Sequence, residues 1–122
     1  MAAMSTPNPP TLSEAPLIGL FGGKAAYRVL MFLECYGRGY ASEIARNADM
    51  SLAEAQSQLR KLEELGFLVS RKEGTARVFY FARNPVADGL RTFLRSMLKQ
   101  LPEATLDKYY RERRRPRRPG KR

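Results

Sequence analysis

The stretch from Tyr40 to Arg83 constrains the fold most, because its hydrophobic pattern changes from the period of a helix to that of a strand within one run. Residues 41–47 predict a short helix, and residues 48–50 a tight turn. Ser51 then opens a longer amphipathic helix with Glu54 at the spacing of a capping box, in which each side chain accepts a hydrogen bond from the other residue's backbone amide. The first half of the stretch is therefore predicted to be two helices joined by a turn.

The second half of the stretch predicts a β-hairpin. Residues 67–72 and 76–83 alternate in hydrophobicity as strands do, with Val78 on one face and Phe79 on the other. The sequence Glu73-Gly74-Thr75 lies between them and suits a tight turn, because glycine tolerates the backbone conformations that such turns require. Basic residues flank this turn on both strands.

Helices are predicted on both sides of this stretch. An apolar lead-in over residues 17–21 precedes residues 24–36, where apolar residues at helical spacing predict one helix. A last helix is predicted over residues 86–101. Its large apolar residues keep helical spacing without a miss: Leu90, Phe93, Leu94, Met97, Leu98 and Leu101. The predicted fold class is therefore mainly α with a small β-hairpin.

The two ends of the chain differ in composition from its centre. Residues 1–16 are rich in Pro, Ser, Thr and Asn and are predicted to be a disordered tail. Residues 17–101 form the predicted domain, and residues 102–122 a basic, disordered tail. Nine of the 22 Lys and Arg residues and two of the 12 Asp and Glu residues lie from Asp107 to Arg122, so this end carries +7 of the net +10 charge. Most of the long-range positive field therefore comes from the C-terminal tail.

The chain has one cysteine, Cys35, and no histidine. This composition excludes an intrachain disulfide and an ordinary Cys/His metal site, and it removes the commonest general base. We therefore expect no cofactor, no metal and no enzymatic activity. Cys35 fits a small buried residue, with redox sensing as the alternative. The N-terminus lacks the pattern of a signal peptide, and the apolar runs are too short to span a bilayer, so a cytoplasmic protein without a membrane partner is expected.

The run "ASEIARNADMSLAEAQSQLRKLEELGFLVSRKEGTARVFYFARNP" resembles a winged helix-turn-helix of the type found in ArsR-like bacterial repressors. It is most similar to the winged-helix proteins associated with nucleotidyltransferases, which share the "LFGG" lead-in and the "RNP" ending. The resemblance covers residues 17–101. Two features depart from it: the Cys and His clusters of the metal sensors are missing, and Asp49 stands at a turn position where the family often has Gly. No nucleotidyltransferase domain is present in this sequence, so no such activity is implied.

The resemblance implies a sequence-specific, double-stranded DNA-binding transcriptional regulator, a repressor that reads the major groove with helix 51–65 and contacts phosphates or the minor groove with wing 71–77. If Ala55, Leu59 and Leu62 face the core, the opposite face of the helix and the basic wing supply the predicted DNA-binding residues. These are Ser51, Leu52, Ala53, Gln56, Ser57, Arg60 and Lys61 on the helix, and Arg71, Lys72, Thr75 and Arg77 on the wing.

Individual roles follow from the chemistry of these side chains. Gln56 can pair with adenine, and Arg60 with guanine or a phosphate. Ser51 and the first-turn amides can hold a phosphate. The alternatives are a solvated polar helix face and an edge hairpin whose charges prevent aggregation.

The resemblance also implies a homodimer joined through the terminal helices. The predicted interface comprises Leu17, Leu20, Phe21, Leu90, Phe93, Leu94, Met97, Leu98 and Leu101. A dimer would set two reading helices about 34 Å apart, one turn of DNA, and would favour a palindromic operator. The alternative is that the whole apolar stripe packs on the domain's own core.

A protein-interaction role is the alternative function. The winged domain would then dock a partner protein encoded nearby, such as a nucleotidyltransferase, while the basic tail binds RNA or an acidic surface. In the DNA-binding interpretation, residues 111–122 add non-specific affinity for nucleic acid; they are otherwise a solvated tail without a bound state.

Overall fold

The structure, a computed structural model, describes residues 14–110. Its elements in chain order are α1 (Glu14–Leu20), α2 (Lys24–Tyr36), β1 (Gly39–Tyr40), α3 (Ala41–Ala48), α4 (Leu52–Glu64), β2 (Leu68–Glu73), β3 (Ala76–Phe81), α5 (Pro85–Gln100) and α6 (Glu103–Thr105), followed by a π-helical turn (Leu106–Tyr110). The three strands form one antiparallel sheet in the order β1-β3-β2. Helices α3 and α4 with the β2–β3 hairpin form a winged helix-turn-helix, which confirms the predicted fold class.

Helix α2 is the centre of the core. Every residue from Tyr27 to Leu33 is buried, and α1, α3, α4 and α5 all pack against this helix. The chain then turns at Gly37, which has a left-handed backbone, and enters the short strand β1 that the sequence patterns did not predict. A Cβ atom at Gly39 would lie 2.7 Å from a ring carbon of Phe32, so only glycine lets β1 approach α2 this closely.

The turn between α3 and α4 has the geometry expected from its residues. Asp49 adopts a left-handed conformation with φ 58°, and its backbone N–H donates to the Ala45 carbonyl. The predicted capping box is confirmed, because the Glu54 amide donates to Ser51 Oγ at 3.0 Å and the Ser51 amide donates to Glu54 Oε1 at 3.3 Å. Asp at this position is compatible with the turn, since its short polar side chain tolerates the left-handed region.

The domain is longer at both ends than the sequence predicted. Helix α1 begins at Glu14, within the segment predicted to be disordered. Residues 102–110, assigned to the disordered basic tail, instead fold back onto α2, and Leu106 and Tyr110 are buried. The charge of this segment favours disorder, but Leu106 and Tyr110 lie one helical turn apart and give the segment an apolar side that packs on the core. Residues 1–13 and 111–122, the remainder of both predicted tails, lie outside the described residues.

The structure also corrects part of the predicted subunit interface. Leu17, Leu94 and Leu101 are buried in the chain's own core, because α1 and α5 pack directly on α2. Leu20 and Phe93, in contrast, are 66% and 38% exposed. The other four predicted interface residues are partly buried against the core: Phe21, Leu90, Met97 and Leu98.

Among residues 14–110, no single helix is long and apolar enough to cross a membrane; helices α1 and α2 pass such a test only as a pair bent by 106°.

Candidate nucleic-acid interface

Helix α4 presents one polar face to solvent. Its apolar stripe, Ala55, Leu59 and Leu62, is buried against the core, as the sequence predicted. All seven residues of the predicted reading surface are therefore exposed: Ser51, Leu52, Ala53, Gln56, Ser57, Arg60 and Lys61. No part of the described chain covers this face.

The N-terminus of α4 is open to an anion. The first amides of a helix have no partner within the helix, and the helix dipole adds a partial positive charge there. The Glu54 carboxylate, which would repel a phosphate, is bonded to the Ser51 amide within the capping box. Leu52, the first residue of the helix, is 47% exposed and offers an apolar surface of the kind that contacts a thymine methyl group.

A cleft of about 520 Å³ lies between α4 and the hairpin. It brings together Gln56 and Arg60 of α4 with Thr75 and Arg77 of the wing, which are separated by at least fifteen positions in sequence. Its lining also includes residues that sequence reasoning missed: Tyr40, Ala41 and Ser42 at the start of α3, Glu63 on α4, and Ala76 and Phe79 on β3. The start of α3 was missed because the strand β1, which holds it beside the hairpin, is only two residues long.

The wing is fixed to α4 by a short chain of hydrogen bonds. Arg77 Nη1 donates to Ser70 Oγ at 3.1 Å, and Ser70 Oγ donates to Glu63 Oε2 at 2.7 Å. Since Glu63 lies on α4 and the other two residues lie on the hairpin, this chain sets the position of the wing relative to the helix. Arg77 is still exposed and lines the cleft.

The strand register separates the predicted wing residues by face. Lys72 lies opposite Arg77 and shares its face, whereas Arg71 lies opposite Val78 on the other face. Arg71 does not line the cleft; it lines a second groove on the far side of the hairpin. Thr75 and Arg77 therefore line the cleft with α4. Lys72 shares the face of Arg77 without lining the cleft, and Arg71 lies on the opposite face.

Arg71 belongs to a cluster of charged and aromatic side chains on that far face. Its Nη2 donates to the Tyr80 hydroxyl at 3.2 Å, and that hydroxyl donates to Glu73 Oε2 at 3.0 Å. Arg38 approaches the same Glu73 carboxylate at 3.7 Å. The hydrogen bond to Tyr80 raises the pKa of Arg71 above its ordinary value. The charge of Arg71 is partly balanced by Glu73, so it adds less to a phosphate-binding surface than an unpaired cation would.

The cations on the exposed face of α4 and on the adjacent face of the wing are not balanced by a carboxylate in this way. Within residues 14–110, Arg60, Lys61 and Lys72 have no ion pair or hydrogen bond. The same part of the chain contains no group of three or more Cys, Asp or Glu residues that could hold a metal ion. What this surface offers a ligand is a polar helix face beside unpaired positive charge.

Comparisons with known proteins found no matching family model and no matching curated protein. Several solved structures are similar, including the following three. A predicted DNA-binding transcriptional regulator from E. coli is 15% identical, with 67% of this chain and 85% of that chain covered and a TM-score of 0.49. A mutant of ZitR from Lactococcus lactis in the apo form is 17% identical, with 69% and 66% covered and a TM-score of 0.49.

The third is the homodimeric winged helix-turn-helix DNA-binding domain of a possible ArsR-family transcriptional regulator from Mycobacterium bovis. It is 24% identical, with 81% of this chain and 91% of that chain covered and a TM-score of 0.48. For this chain, the winged helix-turn-helix assignment rests on its own element order and packing.

Proposed function

We propose that this protein is a sequence-specific double-stranded DNA-binding regulator of transcription, acting as a homodimeric repressor. One observation carries the proposal: Gln56 and Arg60 of the exposed α4 face line a single cleft together with the wing residues Thr75 and Arg77. A helix with its side chains is about 10–12 Å wide, which matches a major groove about 12 Å wide. The wing beside it is then positioned for the adjacent backbone or minor groove.

Each side of the cleft has a distinct role in this proposal. Gln56 and Arg60 reach base edges, where an amide suits adenine and a guanidinium suits guanine. The amides at the start of α4 take a phosphate, and Lys61 and Lys72 contact neighbouring phosphates. The bonds from Arg77 through Ser70 to Glu63 keep the two contacts in register. No enzymatic step is proposed.

The exposed apolar surface on α1 and α5 supports the homodimer. The Phe21 and Phe93 rings are in contact, with centroids 6.3 Å apart, and Leu20 and Phe93 extend this surface to solvent. A second copy related by a two-fold axis would cover both side chains and place two α4 helices one DNA turn apart, about 34 Å. A palindromic operator within the controlled promoter would follow, and binding there would block transcription.

A binding titration tests the proposal. Fluorescence anisotropy with duplexes from the DNA upstream of the protein's own gene, against scrambled duplexes of the same composition, is expected to give at least about a thousandfold preference at physiological salt. Gln56→Ala and Arg60→Ala are expected to remove most of this preference. Lys99→Ala, which removes an exposed cation from the end of α5, is the matched control and leaves it unchanged.

Equal affinity of the wild-type protein for operator and scrambled DNA would contradict sequence-specific binding. The alternative, a module that docks a partner protein, predicts that Gln56→Ala and Arg60→Ala leave DNA affinity unchanged.

A further inference from the structure

The two ends of the described chain meet at one buried cation, Arg28 of α2. Arg28 Nη2 donates to Glu14 Oε1 at 2.8 Å, and Tyr110 donates its hydroxyl proton to Glu14 Oε2 at 3.2 Å. The guanidinium carbon of Arg28 lies 3.7 Å from the centroid of the Tyr109 ring. Glu14 opens α1 and both tyrosines end the π-helical turn. The two terminal segments therefore contact each other directly, and each also contacts the Arg28 guanidinium.

The same guanidinium reaches the helix-turn-helix. Arg28 Nη1 donates to the carbonyl of Ala48, the last residue of α3, at 3.3 Å. Asp49, the next residue, begins the turn that leads to the Ser51 cap of α4. A continuous set of contacts therefore runs from Tyr110 through Glu14 and Arg28 to the start of this turn.

The energetics make these contacts depend on one another. A buried cation is costly unless its charge is paired and its donors are bonded. Arg28 is 6% exposed, and Glu14 supplies its counter-charge. The carbonyls at the C-terminus of a helix have no partner within the helix and favour a nearby cation. If Glu14 or the tyrosines are lost, the guanidinium must move toward water, and the Ala48 carbonyl loses its donor.

The C-terminal segment is held at a second point. The Cys35 thiol donates to the Tyr110 carbonyl at 2.7 Å. Burial, with the neighbouring Tyr27 phenol and Glu14 carboxylate, raises the pKa of the Tyr110 phenol far above its usual range. The raised pKa favours the protonated phenol, which is the form that donates to Glu14.

We infer that Glu14, Arg28, Tyr109 and Tyr110 form a terminal clasp that positions the α3–α4 turn and, through it, the DNA-reading helix α4. The inference rests on the proposed function for its last step only. The clasp residues are positioning residues, because they act through the Ala48 carbonyl and do not line the cleft beside α4. Packing of the terminal segments and placement of the reading helix are thereby coupled.

The first test needs no DNA. Amide hydrogen exchange is followed at Asp49 and Met50, whose N–H groups both donate to the Ala45 carbonyl. In the full chain, Tyr110→Phe and Glu14→Gln are expected to speed exchange at these two amides by about fivefold to tenfold, since each removes one hydrogen bond or charge from the clasp. Leu94→Val, which removes one buried methylene from α5, is the control. It is expected to lower global stability without speeding exchange at the Asp49 and Met50 amides more than at other core amides.

The second test uses the duplexes described above. Tyr110→Phe and Glu14→Gln are expected to weaken operator binding about fivefold to tenfold and to leave the salt dependence unchanged, because the clasp contacts no phosphate. Arg28→Lys is expected to behave like them, since a single ammonium cannot reproduce the planar fork that spans Glu14 and Ala48. Tyr110→Phe removes only a hydroxyl and keeps the ring, so it provides a folded variant even where Arg28→Lys does not.

Wild-type exchange rates at Asp49 and Met50 in folded Tyr110→Phe and Glu14→Gln would overturn the clasp. Faster exchange with unchanged operator affinity would overturn its role in reading DNA. If the wild-type protein itself does not distinguish the operator, the proposed function fails, and the exchange experiment alone decides whether the clasp positions the turn.

Discussion

Helices α4 and α5 are built alike on the inside and differently on the outside. Each buries an apolar stripe against α2, with Leu59 at 0% exposure on α4 and Leu94 at 0% on α5. Outside, α4 carries Arg60 and Lys61, which have no ion-pair partner in the described chain. The outer surface of α5 instead carries the exposed Phe93.

The arginines of α5 show the difference most clearly. Arg91 Nε and Arg95 Nε donate to the two oxygens of Glu34 at 2.8 and 3.1 Å, and the Glu34 side chain is almost fully buried. These two arginines hold α5 against α2, and the Glu34 carboxylate partly neutralises their charge. An exposed arginine is therefore not by itself a sign of phosphate binding; the partner of the guanidinium decides. By this criterion Arg60 of α4 is available to a polyanion, whereas Arg91 and Arg95 of α5 are not.

The largest expected effect is a loss of stability when the buried face of either helix is truncated. Leu59→Ala and Leu94→Ala are each expected to lower the free energy of unfolding by about 2–5 kcal/mol, because both leave a cavity at a fully buried position. Urea denaturation at several protein concentrations measures this. A Leu94→Ala loss that disappears at low protein concentration would place Leu94 in a subunit interface, against its burial within one chain.

The next prediction tests whether the exposed surface of α5 forms the dimer interface. Phe93→Glu is expected to raise the dissociation constant of the dimer at least about thirtyfold, since it places a charge at the centre of the apolar surface. Thr92→Glu, at the exposed neighbouring position, is the control. Sedimentation equilibrium gives the constants. A wild-type protein that is monomeric at micromolar concentration would remove the contrast, and α5 would then be a solvated helix with one exposed ring.

A third prediction compares the contributions of an α4 arginine and an α5 arginine to DNA affinity. Arg60→Ala is expected to weaken operator binding by about 1–3 kcal/mol through loss of a base or phosphate contact. Arg95→Ala removes an arginine that is also exposed but is bonded to Glu34, and it is expected to leave DNA affinity unchanged. Equal losses in both variants would mean that total charge, and not the cleft, controls binding.

The sequence predicted α4 well because its signals are local. The Ser51–Glu54 box marks its start, and the spacing of Ala55, Leu59 and Leu62 marks its buried face. Both depend on residues within one or two helical turns, so no tertiary information was needed. The exposure of the predicted surface residues on this helix follows directly from that spacing.

The terminal clasp could not be predicted in the same way. Glu14 and Tyr110 are 96 positions apart, and Arg28 reads in the sequence as one more cation of a basic chain. Only the folded arrangement brings their partners together. The division of Arg71 from Lys72 was missed for a related reason: basic composition around Gly74 indicates a charged wing, whereas the strand register decides which face each side chain occupies.

The smallest expected effect tests that division of the wing. Lys72→Ala is expected to lower the slope of log affinity against log salt by about 0.9, the amount for one released phosphate contact. Arg71→Ala removes the same charge one residue away but from the far face, where Tyr80 and Glu73 hold it, so a smaller change in slope is expected. Operator titrations at four salt concentrations give both slopes. A larger change for Arg71→Ala would place the DNA backbone on the far face of the hairpin and would mean that the cleft between α4 and the wing is not the main docking surface.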